Sequence, residues 1–146
     1  MKYLLDVKGV KKFFSTKKSF LNNKRNLLKA VNNVSFQIPL GKTFGLVGES
    51  GCGKSTLARL ILGLIPPTSG SIFFEKQDLC SLSKSEFQPY RKSMQMIFQN
   101  PIASLNPRMT IHEILNEPLL IHQVGSSTLR NKRIMESLDC VGLASS

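Results

Sequence analysis

Gly48-Glu49-Ser50-Gly51-Cys52-Gly53-Lys54-Ser55-Thr56 is the stretch whose reading decides the fold of this chain. It satisfies G-x-x-x-x-G-K-[ST], the pattern of a loop that wraps phosphate groups. A triphosphate is a dense anion whose oxygens must meet donors without steric obstruction. Gly48, Gly51 and Gly53 lack Cβ atoms, so the backbone there can turn successive N–H groups inward. Lys54 brings a full positive charge to the β- and γ-phosphates. The Ser55 hydroxyl is placed to ligate Mg²⁺, a hard ion that prefers oxygen.

The flanks agree with the loop. Thr43-Phe44-Gly45-Leu46-Val47 is a short, mostly apolar run that predicts a buried parallel strand. Thr56 to Leu64 predicts the helix behind the loop, whose N-terminal dipole attracts phosphate. Strand, glycine-rich loop and helix follow in the required order. A glycine-rich turn matching by chance would not carry both neighbours.

Elsewhere the alternation of Leu5 and Val7 with polar residues predicts a first strand, and Val34, Phe36 and Ile38 predict a second that stops at Pro39 and Gly41. Ser15 to Asn26 reads as an exposed loop. Pro66 to Gly70 predicts a turn, Ser71 to Glu75 a strand, and Met94 to Phe98 a further strand. Ser83 and Glu86 have capping-box spacing for a short helix, which Pro89 should shorten. Thr110 and Glu113 form a second capping box, opening a helix towards Ile121. Leu129, Arg133, Ile134, Leu138 and Val141 then lie at helical spacing before Gly142. No internal repeat is present.

The chain has 146 residues, 41% of them hydrophobic and 20% charged, which fits one soluble domain with a real core. No apolar run approaches the roughly 20 residues of a membrane-spanning helix. The start, Met1 to Asp6, lacks the apolar segment and cleavage site of a secretory signal, so a cytoplasmic location is expected. Cys52, Cys80 and Cys140 are too scattered for a disulfide framework or a metal site. His112 and His122 read as ordinary surface residues. The net charge of +11 is concentrated in residues 1–30, where nine lysines and arginines face Asp6 alone. That patch carries no nucleic-acid recognition motif, so no nucleic-acid partner is expected. A solvated hairpin near anionic headgroups or an acidic subunit surface explains it with less strain.

Taken together, these residues resemble the ATP-binding subunits of ABC transporters, in the oligopeptide/dipeptide importer branch. The likeness runs from about Leu4 to Leu143 and is strongest from Gly45 to Thr56. Gln95-Met96-Ile97-Phe98-Gln99-Asn100-Pro101 looks like the family's Q-loop. Ala103 to Thr110, followed by Glu117 to His122, looks like the peptide-importer branch. The resemblance implies an α/β P-loop NTPase of the ABC type. Antiparallel strands would join part of a mostly parallel core sheet over residues 1–98. The Q-loop and the start of a helical subdomain would occupy 99–146.

By the same resemblance the cofactors are ATP and Mg²⁺. Gly48, Glu49, Ser50, Gly51, Cys52, Gly53, Lys54, Ser55 and Thr56 would hold the phosphates. Ser55 and Gln99 would reach the metal, and Gln99 would also position the attacking water. A polar residue ending a strand is the plain alternative for Gln99. Phe14 falls where the family stacks an aromatic on adenine, although a core phenylalanine is a rival reading and Phe13 is a competing occupant. Lys42 and Asn100 depart from the commoner glutamate and aspartate. The implied partners are two transmembrane permease subunits, a second ATP-binding subunit, identical or homologous, and indirectly an extracytoplasmic peptide-binding protein. The implied location is peripheral, at the cytoplasmic face of the cell (inner) membrane.

The family's chemistry also needs a second metal-binding carboxylate, a general-base glutamate beside it, a later histidine and an L-S-G-G-Q signature. Asp6, Asp78 and Asp139 are the only aspartates, none follows four apolar residues, and no such signature occurs. Loss of general-base assistance alone costs about 10²–10⁴ in rate. The chain therefore reads as a truncated first half, expected to bind nucleotide weakly and hydrolyse it negligibly. Isolated, its core strands would be left with unpaired edges. Two alternatives remain beside an importer ATPase. One is a different phosphate-loop enzyme, such as a GTPase, although Asn23-Lys24-Arg25-Asn26 lacks the aspartate of N-K-x-D. The other is a non-catalytic fragment that binds nucleotide or a membrane subunit without turnover.

Overall fold

The two longest strands are built around paired irregularities. In the computed structural model, which describes residues 2–15 and 27–143, β1 (Tyr3–Ser15) and β2 (Leu27–Pro39) form an antiparallel pair. Strict alternation from Leu5 and Val7 would bury Gly9. Instead Lys8 and Gly9 together oppose Ser35, and Gly9, at φ +56°, donates its N–H to the Ser35 hydroxyl at 2.8 Å. This bulge shifts the inward face by one residue, so Val7 and Val10 are both fully buried. On β2, Asn33 at φ +57° provides the compensating extra residue before Val31 meets Lys12. The expected loop between the strands lies, from residue 16 to 26, outside the described residues.

A third strand, β3 (Ser69–Phe74), joins the other edge of β1, and β4 (Gln77–Asp78) closes a hairpin with it, giving the order β2-β1-β3-β4. Every pairing is antiparallel. Glu75 and Lys76 make the two-residue connection with φ of +48° and +74°, the positive values of a type I′ turn. Their side chains give no Asn-Gly signal, so sequence reading did not find β4. Helix α1 (Lys54–Ile61) buries Leu57 and Leu60 in a core with Val10, Val31, Ile72 and Phe74. Phe87 joins this core from α2 (Lys84–Arg91), where Pro89 is accommodated and the helix ends two residues later.

Two expected core strands do not form. Thr43 to Val47 and Met94 to Phe98 belong to no strand, and Val47 and Ile97 are 93% and 91% exposed. A strand exists only through a ladder with a neighbour, and no described segment supplies one. Apolar content alone could not reveal that.

The described chain divides into two units, Met1–Gln95 and Met96–Ser146. In the second, α3 (Ile111–Ile121) and α4 (Ser127–Cys140) are linked by a 3.2 Å hydrogen bond between His112 Nε2 and Asn131 Oδ1. Ile134 is buried there, whereas α3 buries none of its own residues. Beyond α4, Gly142 at φ +72° lets its N–H and that of Leu143 reach the Asp139 and Leu138 carbonyls, a Schellman closure. Both expected capping boxes are present. Thr110 donates its N–H to Glu113 Oε2 at 2.7 Å while its hydroxyl accepts from Glu113 N–H at 3.2 Å, and Ser83 and Glu86 do the same on α2.

At φ +92°, Gly70 passes so close to β1 that a Cβ would stand 2.6 Å from Val10 Cα. Gly70→Ala is expected to cost about 1–3 kcal/mol, read as a lower urea midpoint by circular dichroism. An unchanged midpoint would show that β3 can move off β1 there. The box hydrogen bonds also hold both carboxyls below their ordinary range. For Glu86 these are its bonds to the Ser83 hydroxyl and backbone, and for Glu113 its bonds to the Thr110 backbone and hydroxyl. Depressed acids stabilise above the unfolded value of about 4.3 and lose that contribution as pH falls through the folded value. The amide resonances of Ser83 and Thr110 should therefore stay fixed between about pH 5 and 8 and shift on further acidification. Glu113→Gln should remove the shift at Thr110.

Candidate nucleotide-phosphate site

The segment Gly48 to Thr56 folds as a turn running directly into α1. Cys52 N–H bonds the Glu49 carbonyl at 3.3 Å, and Gly51 between them has φ +81°, the value required at the third position of a type II turn. Gly53 then caps α1 at φ +100°. Its α-hydrogen side faces β2 so closely that a Cβ would strike the Ala30 carbonyl oxygen. Only glycine fits both the angle and the gap.

Lys54 folds back over this turn. Its ammonium donates to the Gly48 carbonyl at 2.7 Å and the Glu49 carbonyl at 2.6 Å, and lies 3.6 Å from Cys52 Sγ. The loop thus keeps a positive charge at its centre by using its own carbonyls as acceptors. Helices α2, α3 and α4 each receive a side-chain acceptor at the N-terminus, from Ser83, Thr110 and Ser126. Helix α1 receives none, and no acidic residue occupies its first turn. Its first N–H groups and its dipole are therefore available to an external anion.

Ser55 is exposed on that first turn. One hydroxyl can serve as a single ligand in a Mg²⁺ shell that phosphate oxygens and water complete, because this ion rarely uses a dedicated protein cage. Among the described residues no cluster of three histidine, cysteine or carboxylate groups could hold a metal. A cavity of about 370 Å³ beside the loop is lined by Lys29, Ala30, Val31, Val47, Gly53 and Lys54, among others. Upstream of the loop, Phe44 stacks on Phe36 of β2 with ring centroids 4.8 Å apart and planes 8° from parallel. Sequence reading missed Ala30, Phe36 and Lys29, because their role comes from a backbone approach and a ring stack between segments distant along the chain.

Phe14 and Gln99, the other two site candidates, belong to other segments of the chain. Phe14 is exposed at the end of β1, with the Lys12 ammonium 5.2 Å from its ring centroid, and it does not line the cavity. Phe13 is half-buried, its N–H bonded to the Thr68 hydroxyl at 3.0 Å. Gln99 belongs to the second unit, whereas the loop belongs to the first. Among the aspartates, Asp6 pairs with Lys8 at 3.2 Å, Asp78 accepts from Cys80 N–H, and Asp139 lies on α4 of the second unit.

A family model described as ABC transporter matches residues 31–145. The chain belongs to the ABC transporter family. It is 43% identical over 141 residues to the oligopeptide transport ATP-binding protein AppF of Bacillus subtilis (strain 168), covering 96% of this chain and 43% of AppF. Two solved structures of the cassette MJ0796 share the fold. One, a dimeric post-hydrolysis state bound to ADP and Pi, gives a TM-score of 0.77 at 27% identity. The other, a dimeric bacterial ABC transporter cassette, gives 0.78 at 26%. Both cover 97% of this chain and 58% of the cassette. The chain thus spans about two fifths of the length of AppF. The antiparallel sheet, the phosphate loop and α1 are the parts of the ABC α/β fold that the first unit displays.

The thiols provide a direct test of the loop. Cys52, Cys80 and Cys140 are all exposed, but partial desolvation pushes the Cys80 thiol up, with the nearby Asp78 carboxylate adding to the shift. N-ethylmaleimide, read by peptide mass spectrometry, is expected to modify Cys80 more slowly than Cys52. MgATP should protect Cys52 alone. Unprotected Cys52 at saturating MgATP would place the nucleotide elsewhere.

Proposed function

We propose that this chain is the nucleotide-binding part of an ATP-binding subunit of an ABC importer that powers peptide uptake. The observation that carries this reading is the Lys54 ammonium, held 2.6–2.7 Å from the Gly48 and Glu49 carbonyls at the open N-terminus of α1. A triphosphate entering the loop would exchange solvent for backbone N–H donors and that charge. In this reading residues 48–56 hold the phosphates, Phe14 stacks on adenine, and Ser55 and Gln99 contact Mg²⁺. The metal, when bound, supplies charge neutralisation between β- and γ-phosphate oxygens. The name of AppF supports a peptide as the transported substrate.

The proposed partners are two transmembrane permease subunits and a second ATP-binding subunit, with an extracytoplasmic peptide-binding protein acting through the permeases. The proposed place is the cytoplasmic face of the membrane, and no helix among the described residues is long and apolar enough to cross it. We further propose the division into a nucleotide-binding core over 1–98 and a Q-loop with the start of a helical subdomain over 99–146.

A second reading, binding without turnover, is favoured for the isolated chain by the engagement of Asp6 and Asp78 away from the loop. Calorimetry with MgATP and a phosphate-release assay separate the two. Binding with no release is expected. Lys54→Ala removes a charge-assisted contact worth about 1.5–3 kcal/mol and should weaken binding at least about tenfold. Equal affinity in that variant would sink the phosphate-loop assignment, and turnover that Lys54→Ala abolishes would exclude the non-catalytic reading.

A further inference from the structure

A second cavity of the first unit, about 330 Å³ in volume, lies between the end of α1, the 3₁₀ turn Leu79–Ser81 and α2. Small-molecule sites span roughly 300–1,000 Å³ and are mostly apolar with a few polar groups. Leu60, Leu79 and Phe87 line this one and are buried. Gly63, at φ +62°, closes α1 so near Phe87 that a Cβ would stand 2.6 Å from Cζ of that ring. The wall at Pro66 and Pro67 is tied to β1, where Lys12 Nζ donates to the Pro66 carbonyl at 2.7 Å and Thr68 N–H to the Lys11 carbonyl at 2.8 Å. Asp78 holds the 3₁₀ turn by accepting from Cys80 N–H at 2.9 Å. The cavity is therefore preformed.

Among the described residues that line it, Lys84 and Arg91 alone carry charge. Seven positions apart on α2, they fall within about 20° of one another around the helix. The Arg91 guanidinium stands 5.2 Å from the Phe87 ring centroid, so a cation borders the apolar interior. Neither cation has a carboxylate partner among the described residues. Asp78 is bonded to Cys80 N–H and Glu86 to the Ser83 N–H and hydroxyl, and neither acid lines the cavity. A neutral hydrocarbon would leave the guanidinium without an acceptor, and a wholly polar anion would leave the apolar walls without contact. We infer that this cavity binds a small amphipathic carboxylate. Its acyl chain or aryl ring lies against Leu60, Leu64 and Phe87, its carboxylate meets Arg91, and Lys84 adds to the attraction. The site is separate from the phosphate loop, because the two cavities share no lining residue.

The test uses the 146-residue chain with octanoate and 4-phenylbutyrate, both below micelle formation, and octanol as the uncharged control. Cys80 lines the cavity and is exposed, so its modification by N-ethylmaleimide, read by peptide mass spectrometry, reports occupancy. Either carboxylate should protect Cys80 saturably and leave Cys52 unprotected. Octanol should need about tenfold more for the same protection. Arg91→Gln should weaken carboxylate protection about tenfold and leave octanol protection unchanged. Lys92→Gln removes a neighbouring cation that does not line the cavity and should bind as the parent chain does. Failure of both carboxylates to protect Cys80, equal protection of Cys52, or equal potency of octanol would each overturn the proposal. So would an Arg91→Gln chain that binds octanoate as tightly as the Lys92→Gln chain, or one that loses octanol protection to the same extent, since Arg91 would then only shape the cavity.

Discussion

The approach of Gly53 to the Ala30 carbonyl is the constraint on which the first unit depends. It seats the start of α1 against β2 at a distance no side chain tolerates, and the φ of +100° at Gly53 sets the direction in which the helix leaves. With that junction fixed, Leu57 and Leu60 fall on the core face of the sheet, and Lys54 falls where its ammonium can span the Gly48 and Glu49 carbonyls. Packing and chemistry therefore share one backbone contact. The same helix turn that buries leucines presents uncapped N–H groups to an anion.

Antiparallel pairing explains why the sheet is complete enough to organise this site while the segment before the loop is not a strand. Each partner of β1 lies within the described chain, so its ladders on both edges can form. In Thr43 to Val47, Phe44 stacks on Phe36, and Val47 is almost fully exposed. An unpaired strand edge exposes one hydrogen-bonding group after another, a condition that proteins normally cover. The second unit shows the same want of cover in helical form. Its α3 is apolar yet buries no residue, and Ile111, Leu120 and Ile121 are exposed.

Electrostatics separates two basic surfaces of the first unit. At the phosphate loop one ammonium is held by carbonyls at fixed distances, so its charge is concentrated and directional. Along β1 and β2, Lys8 pairs with Asp6 and lies over Phe73, Lys12 donates to the Pro66 carbonyl beside the Phe14 ring, and Lys29 lies over Phe13, so their charge is spread along the strands. The first arrangement suits a compact multivalent anion.

How much was legible in the sequence follows from the range of each interaction. The capping boxes at Ser83 and Thr110 and the stop at Gly142 are set by residues within a few positions of one another, so their spacing carried the answer. The β3–β4 turn was equally local but hidden, because Glu75 and Lys76 adopt positive φ without the residues that usually announce it. Nothing local determined which segments would find ladder partners, or that Gly9 and Asn33 would form offsetting bulges. The amino-acid sequence alone pointed to the ABC transporter family and determined both capping boxes and the glycine stop after α4. Tertiary structure decided that β2 is the support for the loop, that Lys54 rests on its own carbonyls, and that residues 43–47 remain outside the sheet. Those outcomes depend on contacts between distant segments, which form only when the whole chain packs.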